Sequence, residues 1–456
     1  MRNKIIILGL LFVFILSTGF GCKTVDKETQ KAMEPITLTY WRVFDDSDAF
    51  EEIINNYKLI HPNITINYRK LRYEEYENEL LNALAEDRGP DIISIHNTWI
   101  RRYQNKIVPM PTAITLAYPI EKGSIKKEIV PELRTSRTPT LKELKDTFVD
   151  AVYSDVVLDD NQIYALPLSV DTLALFYNRD LLNNAGITQA PQYWNKIFQQ
   201  DVKKLTRQDP LQGIAQSGIA MGGSNNIERF SDILSVLMMQ NGATMMEGKQ
   251  VLFNIIPAAT RNTNYNPGLE ALRFYIDFSN PGKEVYSWNE DLSNSITLFT
   301  SGKLAMMFGY SYHLPIIKAQ APKLNFSVSK LPQIEGSPVE VNFANYWVEA
   351  VSKKSKHQEA AWDFILFATK AEQVKSYLDK TNKPTALRAL VPEQRNDNEI
   401  GIFADQVLTA KSWYKGKDPI AAETALAEMI EAAKKNLDKI MDALNAGASK
   451  VQQTIN

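Results

Sequence analysis

A single cysteine, Cys22, leaves this chain without the means for an intramolecular disulfide. Histidine is scarce too. His61, His96, His313 and His357 are the only four, and none stands at metal-ligand spacing from another, which argues against a histidine-based metal site. No GxSxG and no HExxH occurs, and the glycine-rich stretch Gly218 to Asn226 lacks the lysine of a phosphate-cradling loop. Neither sign of charge dominates. The net charge of -2 makes no electrostatic case for nucleic acid or an anionic membrane surface. The apolar run from Ile5 to Leu16 is too short to cross a bilayer, which takes about 20 residues.

What is present is ordinary globular composition, 44% hydrophobic and 23% charged, spread over 456 residues. A single hydrophobic core rarely grows beyond about 250–300 residues, so two lobes are expected. The N-terminus reads as an address. Arg2 and Lys4 precede the apolar run, and the small-residue stretch Ser17 to Gly21 then leads to Cys22, which is the layout of a secretory signal over residues 1–21. The lone cysteine directly after it resembles the lipidation site of bacterial lipoproteins. Gly21 fits that pattern, whereas Gly19 and Phe20 depart from it. Residues 22–35 then read as the lipidated cysteine and a polar, flexible tether.

The mature chain opens on a β-α-β-α-β run. Ile36 to Trp41 alternates as a strand. Phe50, Ile53, Ile54 and Tyr57 recur at helical spacing up to His61-Pro62. Ile64 to Tyr68 alternates again, Tyr76 to Leu84 is helical, and Asp91 to Ile95 is an apolar strand. Such a run implies a parallel sheet with right-handed crossovers, and ligands bind beyond the carboxyl ends of its strands. Trp41, Arg42, Asp45, Asp46, His96, Asn97 and Trp99 lie there. Residues 109–147 suggest surface loops and one or two short helices, and Tyr153 to Leu168 suggests a hairpin around Asp159-Asp160-Asn161. Leu166 to Asn178, LPLSVDTLALFYN, reads as a strand buried on both faces and interrupted by Asp171. A second βα pattern follows. Leu304 to Phe308 is a strand ending at Tyr310-Ser311-Tyr312, and Leu437 to Val451 forms an apolar helical stripe. Trp194 and Trp362 sit among core-spaced residues and are read as packing.

Together ITLTYW, GPDIISIHNTW, IYALPLSVDTLALFYNRDLLNNAGI, PQYWNKIF, TSGKLAMMFGYSYHL, NYWVEAVSKKSKHQEAAWDFILF and NKPTALRALV resemble, in order, the extracellular solute-binding proteins of ABC transporters, in the cluster of maltose- and glycerol-phosphate-type sugar binders. The resemblance implies an α/β fold of the two-lobed periplasmic-binding-protein type II, each lobe a mainly parallel sheet flanked by helices. It implies lobe 1 over 36–169 and 348–379, lobe 2 over 170–327 and 380–456, and a second hinge crossing at 328–347. It further implies a non-enzymatic, cofactor-free monomer. Such a protein, anchored by lipid on the outer side of the cell membrane, captures a sugar or oligosaccharide and passes it to the permease subunits. Sugars need aromatic platforms and multidentate hydrogen-bonding groups. Trp41, Trp99, Tyr312, Trp347 and Trp413 are the aromatic candidates, and Asp45, His96, Asn97, Asp171, Asn225 and Arg388 the polar ones. Two alternatives stay open. Arg42, Arg101, Arg102 and Arg388 would suit a glycerol phosphoester, with a polyamine or metal chelate as further solutes of the same fold. A lipid-anchored hydrolase working through two carboxylates is the other.

Overall fold

A computed structural model of the chain describes residues 27–122, 127–211 and 213–455. The signal segment and Cys22 lie outside the described residues. Two separate hydrophobic cores organise the molecule, one built mainly from Leu38 to Val170 together with Ala344 to Val391, the other from Leu173 to Phe343 together with Trp413 to Ile455.

In the first lobe the strand Ile36–Val43 runs parallel to Ile64–Leu71 along its whole length, and pairs with Ile92–His96 through Tyr40 and Trp41. The crossovers are the helices Asp48–Ile60 and Tyr73–Ala85. The first turns Ala49, Phe50, Ile53 and Tyr57 inward, and the second Tyr76, Leu80, Ala83 and Leu84. Apolar residues at this spacing share one helix face, so burying them fixes each helix against the sheet. The late strand Trp347–Ser352 joins antiparallel beside Ile92–His96, placing Trp347 opposite His96, and Ile107–Val108 closes that edge. In the second lobe Ala174–Asn178 lies between Met306–Gly309 and Phe326–Ser329, antiparallel to both, while Ser217 bridges in parallel to Leu304. The helices Pro419–Lys435 and Ile440–Gln453 pack on one another along the apolar stripe of the C-terminal segment.

The stretch Leu166 to Asn178 is not one continuous strand. Leu166 bridges Glu349, Ser169 bridges Thr385, Asp171–Thr172 pairs with Ala344 and Asn345, and only Ala174–Asn178 enters the second-lobe sheet. Its apolar character comes from serving two cores in succession. Leu166, Leu168 and Val170 belong to the first, and Leu173 to Phe176 to the second. The chain comes back between Phe343, in the second core, and Ala344, in the first. The division drawn at residue 380 shifts. Ala386, Leu387, Val391, Val407 and Ala410 pack in the first core and Phe403 in the second, so the chain passes to the second core for good only at Trp413. This segment alternates between cores within a few residues, and no local periodicity records that.

Three local expectations are corrected. Residues 109–147 contain a long two-stranded antiparallel ribbon, Ala113–Lys122 with Glu128–Arg137, before the helix Leu141–Thr147. Pro119 and Pro131 face each other within it. The ribbon pairs only its inward-facing backbone groups and needs no fully apolar face, so its charges and prolines read as loop. The hairpin at Tyr153 is instead the helix Asp150–Val156, joined to the return segment by a single bridge, Val157 to Ile163. The helix buries Ala151, Val152, Asp155 and Val156, a helical spacing that Tyr153 and Ser154 obscure. The tether is shorter than expected, since Lys27–Ala32 is a helix lying against the ribbon and Asn63 Nδ2 donates to the carbonyls of Ala32 and Glu34.

Candidate functional site

Strand ends and crossings converge on a cleft of about 600 Å³ lined by both lobes. The first lobe supplies the loop after Val43, the start of the helix at Tyr73, and His96 to Trp99 beyond its central strand. The second supplies Arg229 to Ser235, Tyr312, and the segment Trp413 to Leu426. Asp171, Ala344 and Asn345 form the floor, where two crossings pair. This is where an open α/β sheet places its ligand, since strand carboxyl ends leave side chains and helix termini facing a crevice.

Aromatic rings stand on both walls. On the first, Trp347 is half-buried among Phe44 (5.7 Å between centroids), Trp99 (5.4 Å) and His96 (5.7 Å). Phe44 stacks on Tyr73 at 5.7 Å, and the two residues are 54% and 51% exposed. On the second, Tyr312 is 41% exposed and stacks on buried Tyr310 at 5.7 Å. Trp413 is buried, with its Nε1 donating to Ser235 Oγ at 2.9 Å, and Tyr414 packs edge-on to it.

The polar groups are held in place. His96 Nε2 lies 3.0 Å from Asn345 Oδ1 and Nδ1 lies 2.7 Å from Thr98 Oγ1. Burial pushes the imidazole down to about 4, so the ring is neutral near pH 7. Asn97 Nδ2 donates to Asp155 at 3.0 Å, while Asn97 Oδ1 is buried without a protein partner. A buried acceptor left this way costs free energy until a donor arrives. Asp171 accepts from Ser311 N at 2.9 Å, Ser311 Oγ at 2.7 Å and Thr172 N at 2.8 Å. Burial outweighs these donors and raises its carboxyl to about 6.

The cations lining the cleft are all paired. Arg42 bridges Asp45 at 3.0 Å and Glu349 at 2.9 Å. Lys383 lies 2.5 Å from Asp45, and Arg229 lies 2.8 Å from Asp232. Burial opposes ionisation of Asp45, but Arg42 and Lys383 outweigh it and hold its carboxyl below the usual carboxylate range. Arg229 also lies over the Tyr310 ring, 5.9 Å from its centroid.

Of the residues named from sequence, the structure brings Asp45, His96, Asn97, Trp99, Asp171, Tyr312, Trp347 and Trp413 to the cleft. Three lie elsewhere. Trp41 is buried under the guanidinium of Arg69, 4.7 Å away, because the strand continues to Val43 and turns this side chain away. Asn225 is exposed outside the cleft lining, since the chain runs on from there to the helix start at Arg229. Arg388 pairs with Asp150 at 2.6 Å on the first lobe. Sequence reasoning missed Phe44, Tyr73, Arg229, Asp232, Asn345, Lys383, Tyr414 and Glu423. Phe44 and Tyr414 each adjoin a residue that was named, and Asn345 lies two before Trp347. The others carry no local signal.

Residues 44–375 match the family described as bacterial extracellular solute-binding protein. The chain belongs to that family. A binding protein of Brucella abortus (strain 2308) is 24% identical over 331 residues, 70% of this chain and 67% of its own. The galactooligosaccharide-binding protein of Bacillus subtilis (strain 168) is 23% identical over 251 residues, 55% of each chain. Among solved structures, the cyclic alpha-maltosyl-1,6-maltose binding protein of Arthrobacter globiformis superposes with a TM-score of 0.69 at 18% identity, covering 92% of this chain and 99% of that one. The family match and the superposition both extend over the two lobes. Among the described residues no helix is long and apolar enough to cross a membrane.

Proposed function

We propose that this protein captures a sugar or short oligosaccharide between its lobes and delivers it to an ABC permease, without chemically changing it. The observation that carries the reading is a cleft with aromatic faces on both walls, Phe44, Tyr73 and Trp347 against Tyr312. Pyranose rings present apolar faces to such platforms and direct hydroxyls sideways to planar polar groups. The galactooligosaccharide-binding relative and the maltotetraose complex of a similarly folded cyclo/maltodextrin-binding protein support the same class of solute.

The pairing of Arg42, Lys383 and Arg229 with acids speaks against a phosphoester, which would need cations free to meet it. Asp45 and Asp232 are committed to ion pairs and Asp171 to three hydrogen-bond donors, which leaves Glu423 without a second uncommitted carboxylate for a hydrolase's pair. Under this proposal Cys22 carries the lipid that keeps a monomeric protein on the outer side of the membrane, and no cofactor takes part.

The test is thermal denaturation with maltotetraose, mannotriose, a galacto-oligosaccharide, glycerol 3-phosphate and spermidine, with sugar products assayed in parallel. We expect at least one saccharide to raise the melting temperature with no product formed. Turnover, or stabilisation by the phosphoester or polyamine alone, overturns the reading.

A further inference from the structure

Phe44 holds a backbone conformation that a phenylalanine resists. Its φ is +68°, and the Asp45 amide donates back to the Val43 carbonyl at 2.8 Å, closing a three-residue turn around it. A turn of this hand is strained for any residue with a β-carbon, and more so for a bulky one. Among the described residues the other non-glycine positions with positive φ are Asp87, Asn161, Arg229, Asn264 and Asn382. Asp and Asn tolerate this region, so two residues stand apart, Phe44 and Arg229. Both line the cleft, from opposite walls.

Burial does not compensate the strain at Phe44, since the residue is 54% exposed. What imposes the turn lies on either side. Arg42 and Val43 are buried, and Asp45 is held by Arg42, by Lys383, by Tyr377 Oη at 2.9 Å and, at its carbonyl, by Tyr68 Oη at 2.7 Å. Four partners on the residue after the turn over-determine its backbone. Strain persists only under such a condition, and it gathers where a side chain must be presented to something absent from the free protein. The turn aims the ring into the cleft, backed by Tyr73 and edged by Trp347.

We propose that Phe44 is the platform on which the apolar face of a bound sugar ring rests, and that the Arg42–Asp45–Lys383 ion pairs serve to hold the turn presenting it. The proposal deepens the carbohydrate reading and rests on it. It also assigns the network a role that raw stability does not explain, since a buried ion pair is weak evidence for stabilisation against an apolar equivalent.

The experiment compares wild type, F44G, F44A and F44W by titration calorimetry with maltotetraose, mannotriose and a galacto-oligosaccharide, and by thermal denaturation without ligand. F44G and F44A should each lose roughly ten-fold in affinity, about one aromatic contact, while F44W stays within about three-fold. F44G should melt about 2 °C above F44A, because glycine alone adopts the turn without strain. At an unstrained loop position alanine would be the more stable of the two. In a K383M background, where the clamp on Asp45 is loosened, that gap should narrow. Wild-type affinity in F44G overturns the platform and leaves the carbohydrate reading standing. F44A melting at or above F44G overturns the imposed strain. Failure of wild type to bind any of the three saccharides overturns the carbohydrate reading, and the platform falls with it.

Discussion

Asp171 sits where the first crossing leaves one core for the other, and its carboxylate gathers three donors from Ser311 and Thr172. Replacing it with alanine strands those donors, a loss of about 1–3 kcal/mol in urea unfolding. An affinity change without that loss would reassign Asp171 to the ligand. The pH dependence gives a second reading. Burial raises the folded carboxyl to about 6, above the value near 4 of an unfolded aspartate. A raised folded value means that its contribution to stability is fully present below about pH 4 and is lost as pH climbs through about 6. Asp171→Asn removes the titrating proton while keeping one acceptor oxygen. Its stability measured at pH 4.5 and 7.5 should therefore lack a decline on the order of 1–3 kcal/mol that wild type shows. An unchanged difference between the two pH values would show that another group governs it. Asp171 was legible because an acidic residue stands out in an apolar run. Phe44 was not, since a positive φ depends on what grips Asp45 from Tyr377 and Lys383, more than 300 residues away in sequence.

At the scale of elements, the crossings are joined by one buried side chain. Gln406 Nε2 donates to Thr172 Oγ1 and to the Leu173 carbonyl, both at 3.1 Å, and its Oε1 accepts from Leu331 N at 2.7 Å. A single amide thus ties the first crossing, the segment leading to the second and the segment leading to the third. Gln406→Leu keeps the volume but removes all three bonds, leaving Thr172 Oγ1 only its bond to the Phe403 carbonyl. We expect it to lower the unfolding free energy by about 2–4 kcal/mol in urea, with affinity changed because the hinge is loosened. Equal stability to wild type would mean that the crossings are set by strand pairing alone. The helices Asp48–Ile60 and Tyr73–Ala85 were readable because their apolar residues repeat at helical spacing. The ribbon Ala113–Lys122 with Glu128–Arg137 was not. It lies over the first lobe through Ile114 and Ala117, with Glu359 accepting from the Thr115 amide, and so needs few apolar positions.

For the whole molecule, two cores linked by narrow crossings allow one lobe to rotate against the other without breaking either core. A ligand touching both walls favours the closed arrangement only by its differential affinity for that state. Small-angle scattering should show the radius of gyration falling when a stabilising saccharide is added. In the same solutions unfolding free energy should rise with ligand, by about 2.7 kcal/mol at a hundred-fold excess over Kd. A stabilisation with no change in radius would place the sugar on one lobe instead of between two.

The sequence by itself determined the alternating βα order, the parallel pairing of the first three strands, the division into two lobes and the membership of an extracellular solute-binding family. Each is recorded in local periodicity or in motifs whose order survives divergence. Which side chains meet in the cleft was decided by tertiary structure. Trp41 points away while Tyr73 and Arg229 point in, and Lys383 reaches Asp45 from the far end of the chain. Such meetings depend on where the crossings bring distant segments together. Spacing along the chain carries no information about residues that become neighbours only when both cores have formed.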